Sequence, residues 1–94
     1  MTAKDYLLQA RGIESEVSNI TCATDSVAMI VGGFPTLGLR VKGILHKGWV
    51  YIQKIGDCTY DIQLVSAKTK EVKKEIENIE QTMLGQTLAK VIGQ

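Results

Sequence analysis

Residues 38–65 alternate apolar and polar side chains with a period of two, and glycine-bearing turns cut the alternation into short runs. A period of two is the repeat of a β-strand, whose successive side chains leave on opposite faces. Leu39, Val41 and Leu45 alternate with Arg40, Lys42 and His46, and His46-Lys47-Gly48 marks a turn. Residues 49–55 are aromatic and β-branched, Gly56-Asp57 marks a second turn, and residues 58–65 set Tyr60, Ile62 and Leu64 against Thr59, Asp61 and Gln63. Strands joined this closely pair antiparallel, so the segment predicts a meander.

Such a sheet buries one face. The best candidates are Leu39, Val41, Leu45, Val50, Ile52, Tyr60, Ile62 and Leu64. The other face then carries Arg40, Lys42, Trp49, Tyr51, Gln53, Thr59, Asp61 and Gln63. On the middle strand, Trp49 and Tyr51 are an alternative buried pair, because a slip of one residue exchanges the faces.

Ahead of the sheet the period changes. Thr2 and Asp5 have the spacing of a capping box with Asp in place of Glu. Tyr6, Ala10, Ile13, Val17 and Ile20 then step by four and three, one stripe of a helix. Thr24, Val27, Val31 and Phe34 keep the spacing, and Gly32-Gly33-Phe34-Pro35 has the form of a helix stop. The expectation is a helical region over residues 2–31, as one element or as two with a break near Thr24. The β-branched content of residues 26–31 makes a strand there the alternative.

After the sheet, residues 70–77 fit either a further strand or, with Val72, Ile76, Ile79 and Met83 in helical steps, the start of one long helix. The strand is preferred. Asn78 and Gln81 form a second possible capping box, opening a helix over 79–92 with Met83, Leu84, Leu88, Val91 and Ile92 on its stripe. The fold class expected is α+β: an N-terminal helical region, a three- to four-stranded antiparallel meander over 36–77, and a C-terminal helix.

At 94 residues the chain is one domain, 1–94. Size scaling predicts about 64% of its surface buried on folding, enough for a core without staples. Eleven Lys and Arg meet ten Asp and Glu, a net charge of +1, far from the basic balance of most nucleic-acid-binding domains. The longest uncharged run, residues 26–39, holds three glycines and Pro35, so it does not span a bilayer, and the opening residues lack the apolar core of a signal peptide. The expected location is cytoplasmic, with no membrane contact.

No catalytic constellation emerges, and the expectation is a protein that is not an enzyme and needs no metal or cofactor. Cys22, Cys58 and the single histidine, His46, lack the ligand spacing of a zinc site. A Cys–His nucleophile needs a proximity that nothing in the sequence supplies, so His46 is expected in a polar turn and the cysteines as small packed hydrophobes. Gly32, Gly33 and Gly38 do not match a phosphate loop, which needs Gly-Lys-Ser/Thr between a strand and a helix. Asp57 and Asp61 are expected as a turn residue and as a cross-strand partner of Arg40 or Lys42.

Two surfaces stand out. Arg40, Lys42, Lys47, Trp49 and Tyr51 mix cations with aromatics on the exposed sheet face, a pattern that holds single-stranded nucleic acid by stacking and phosphate contact, or a protein partner. The stripe Tyr6, Ala10, Ile13, Val17 and Ile20 suits helix–helix self-association.

The opening MTAKDYLLQARGIESEV resembles the start of small helical phage proteins grouped with late-transcription regulators, over about the first eighteen residues. The stretch YIQKIGDCTYDIQLV with VKKEIENI resembles small uncharacterised proteins of mobile elements, over about forty residues. The second resemblance implies the strand at 70–77; neither implies a catalytic residue. Together with the residues they point to a small homo-oligomeric binding protein, an accessory or inhibitory factor of a phage or mobile element. The alternatives are a single-stranded nucleic-acid binder and a protein that holds a small anionic ligand, such as a nucleotide, between subunits.

Overall fold

The computed structural model describes residues 2–93; Met1 and Gln94, the ends of the expected domain, lie outside the described residues. The element order is α1 (Ala3–Glu16), β1 (Ala23–Val31), β2 (Phe34–Lys42), β3 (Lys47–Lys54), β4 (Thr59–Ser66), β5 (Val72–Glu80) and α2 (Gln81–Ile92). The five strands form one antiparallel sheet in sequence order. The α+β expectation holds, with five strands where three or four were expected.

α1 begins on the expected capping box: the Asp5 N–H donates to Thr2 Oγ1 at 3.3 Å, and the Thr2 N–H donates back to Asp5 Oδ2 at 3.0 Å. The helical region is much shorter than residues 2–31, however. α1 ends at Glu16, and residues 23–31 are strand. Gly32 and Gly33, expected as a helix stop, have φ of +58° and +82° and make the two-residue turn of the β1–β2 hairpin. Positive φ at both central residues is the type I′ requirement, and its twist matches that of the flanking strands.

The middle-strand ambiguity resolves to Val50 and Ile52, both fully buried, with Trp49 and Tyr51 on the opposite face. Leu45 was expected in the buried face and is 72% exposed. β2 ends at Lys42, so the alternation has no strand to act on beyond it. The connection that follows is bound to α2 instead: the N–H groups of Leu45 and His46 donate to Ile92 O at 2.9 and 3.2 Å, and that of Ile44 to Gly93 O at 3.2 Å. These amides take up carbonyls that a helix C-terminus leaves without partners.

Residues 70–77 join the sheet, as preferred, but the Asn78–Gln81 capping box does not form. Asn78 lies in β5 at φ +56°, a region that Asn tolerates, and its N–H donates to Asp61 Oδ1 at 3.0 Å. α2 opens at Gln81, behind Glu80, without a side-chain cap.

Both helices lie on one face of the sheet. Ile13 of α1 and Leu84, Leu88 and Ile92 of α2 share a single core with Leu37, Leu39, Val41, Val50, Ile52, Tyr60, Ile62 and Leu64. α1 packs on β1 and β2, and α2 on β4 and β5. Each of these large apolar side chains contributes about 1.5–3 kcal/mol by leaving water. The stripe expected to drive self-association belongs to this core. Ala10, Ile13, Val17 and Ile20 are buried and Tyr6 is half-buried, with Ile13, Val17 and Ile20 packed into the cluster beneath the chain's own helices. Those side chains are therefore unavailable to a second helix.

Candidate functional site: the helix-free face of the sheet

Residues directly opposite in an antiparallel ladder share a face, so the register decides what the uncovered side carries. One row runs Met29, Thr36, Gln53, Asp61; the next runs Val27, Gly38, Tyr51, Gln63, Glu75. A third runs Asp25, Arg40, Trp49, Val65, Val72, and Lys42 faces Lys47 beyond it. All five residues singled out as a binding surface, Arg40, Lys42, Lys47, Trp49 and Tyr51, thus lie on this face. The expected pairing of Asp61 with Arg40 or Lys42 does not occur. Asp61 lies opposite Gln53 and accepts from the Asn78 amide.

The centre of the face is aromatic and tightly built. Trp49 and Tyr51 stack along β3 with ring centroids 6.1 Å apart and planes 8° from parallel. Gly38 lies beneath Tyr51. A Cβ there would stand 3.1 Å from Val27 Cγ1, Met29 Cε and Tyr51 Cε1, so the three side chains close over the bare backbone. Beside them is a depression of about 240 Å³ lined by Met29, Val31, Thr36, Tyr51, Gln53, Asp61 and Gln63. Gln53 Nε2 donates to Val31 O at 2.8 Å, which ties the hairpin end to β3.

The margins differ. Val27, Val31 and Phe34 on the β1–β2 side and Val72 on β5 are exposed apolar residues. Arg40, Lys42 and Lys47 are exposed cations that line one groove of about 450 Å³ with Val41, Gly48 and Ala67. Val27, Met29 and Val31 do not stand out in the sequence because the spacing there predicts a helix, with Phe34 in its stop. The signal that locates them is the Gly-Gly pair between the β-branched run of residues 26–31 and the apolar residues Phe34, Leu37 and Leu39.

Among the described residues no buried side-chain nitrogen or oxygen lacks a hydrogen-bond partner. A depression of about 460 Å³ at the end of α1 is lined by Glu14, Ser18, Asp25 and Ser26 among others. There Glu14 pairs with Arg11 at 2.7 Å and accepts from Ser26 Oγ at 3.1 Å, while Asp25 Oδ1 accepts from the Ser26 amide at 2.8 Å. His46 was expected in a polar turn; it is in the β2–β3 connection but buried, with Nε2 3.1 Å from Trp49 O. Cys22 is half-buried against the core, Cys58 is exposed before β4, and no disulfide joins them. Among the described residues no three His, Cys, Asp or Glu side chains gather as a metal site, and no helix is long and apolar enough to cross a membrane.

Compared with protein-family models, curated proteins and solved structures, the chain matches none.

Proposed function

We propose that this chain is a non-enzymatic binding protein that acts as a homo-oligomer and receives its partner, a protein, on the helix-free face of the sheet. The observation that carries this reading is the placement of both helices on one side, which leaves the Trp49–Tyr51 stack uncovered among exposed Val27, Val31, Phe34 and Val72. Large apolar side chains left exposed around an aromatic pair support an interaction site, and aromatic anchors within a polar rim are the usual source of interface energy. Asp25, Asp61 and Glu75 on the same face favour a protein over a polyanion. A role as an accessory or inhibitory factor of a phage or mobile element fits a module of this size that works by contact.

Single-stranded nucleic acid is the second reading, supported by Arg40, Lys42 and Lys47 beside Trp49. Trp49 is the sole tryptophan, so its emission reports on the face directly. Sedimentation should show self-association, and a mixed-sequence single-stranded oligonucleotide should leave the emission unchanged. A chain that stays monomeric at high concentration removes the homo-oligomer. Saturable quenching by the oligonucleotide that weakens with added salt moves the conclusion to nucleic acid.

A further inference from the structure

We propose that two copies of this chain join through β1, edge to edge, into one continuous ten-stranded sheet. The inference rests on the homo-oligomer of the reading above and names the element that forms it. Each sheet has two open edges, β1 and β5, because the strand order follows the chain. The two edges are built differently. β5 carries Lys73, Lys74, Glu75 and Glu77, and its ladder with β4 is broken by irregularities at two places. Charge and bulges on an edge strand are the ordinary defences against pairing with another chain. β1 has none of these from residue 26 to residue 31: no charge, no proline, no register shift. Val27, Ile30 and Val31 are exposed there.

The hairpin geometry says which backbone groups are open. Val31 and Phe34 close a two-residue turn, so they are a hydrogen-bonded pair, and the alternation of the ladder makes Met29 and Val27 the next residues bonded to β2. The N–H and C=O of Ala28 and Ile30 therefore point out of the sheet. Ser26 has the same outward parity, but its N–H is already held by Asp25 Oδ1, and its hydroxyl lies between Arg11 and Glu14. The open stretch is thus short and centred on Met29.

A two-fold axis through that centre, normal to the sheet, sets Ala28 of one copy against Ile30 of the other, twice. Opposite residues of an antiparallel pair share a face, so the helices of both copies fall on the same side, and so do the two uncovered faces. Asp25, the charged residue of β1, falls opposite the turn glycine Gly33 and not opposite its own copy. The edge is therefore self-complementary, as an isologous contact requires.

The test is sedimentation equilibrium with amide hydrogen exchange on the full chain. Expected for the native chain is a dimer at high concentration, with the Ala28 and Ile30 amides exchanging more slowly there than in dilute solution. Ile30→Lys places a cation on the edge and should weaken the dimer by at least about tenfold. Ala28→Pro removes an outward N–H, which an edge strand tolerates, and should do the same with the circular dichroism preserved. Ala28 and Ile30 amides that exchange alike in dimer and monomer overturn the proposal, and this measurement needs no variant to fold. A dimer that survives Ile30→Lys but dissociates with Tyr51→Asp overturns the edge contact while the homo-oligomer stands. A monomer at every concentration overturns both.

Discussion

Gly43 occupies a place where a side chain does not fit. A Cβ there would lie 2.1 Å from Ile92 O and 2.3 Å from Ile92 Cγ2, and the first of these atoms is backbone. Gly43→Ala should therefore destabilise the fold by about 1–3 kcal/mol, the usual cost of overpacking, read as a lower urea midpoint. Tyr60 makes a prediction about pH. Burial, and then the nearby charges of Glu16 and Cys58, raise its phenol above the ordinary tyrosine range. The folded state holds the proton more tightly than the unfolded chain. Stability from this source is complete below the ordinary tyrosine range and declines as pH rises through it toward the higher folded value. Tyr60→Phe should flatten that alkaline decline in urea midpoints taken across pH. Asp5 has the opposite sign: hydrogen bonds from the Thr2 amide and hydroxyl lower its carboxyl, so its contribution is lost only as pH falls through the lowered value.

α1 depends on its first turn, since no basic residue stands in its last. Thr2→Ala removes the acceptor of the Asp5 amide and should cost about 1 kcal/mol, seen as lower helical ellipticity and faster amide exchange over the first turn. The capping box was legible in the sequence because it is local. β3 and the first part of β4 were legible because one face is buried, which imposes a period of two; at Val65 both faces are buried. β1 was not, for a physical reason. As an edge strand it has apolar residues on both sides, Val27, Met29 and Val31 on one and Ala28 and Ile30 on the other, so the alternation disappears. What remains is the spacing of Thr24, Val27, Val31 and Phe34, which imitates a helix. The candidate site was half legible on the same grounds. Strand parity placed Arg40, Lys42, Trp49 and Tyr51 together, Lys47 was read as a turn residue beside them and is the first residue of β3, and Val27, Met29 and Val31 were hidden with β1. The helical stripe of residues 6–20 correctly marked an apolar face, but spacing alone does not say whether the sheet or a second copy covers it.

The molecule has one core, to which both helices and all the central strands contribute. Leu88, fully buried on α2, has no separate unit to unfold with. Leu88→Ala should cost about 2–5 kcal/mol and lower the thermal midpoint read by Trp49 fluorescence and by helical ellipticity together. Two separate transitions would contradict a single cooperative unit. The bond between the β2–β3 connection and the last turn of α2 joins the middle of the chain to its far end. During synthesis Leu45 and His46 are made before Ile92. Their amides must wait in water, and the apolar face beneath α2 stays open during that interval. A chain that stops before Gln81 lacks α2 altogether and leaves its part of the sheet face without Leu84, Leu88 and Ile92.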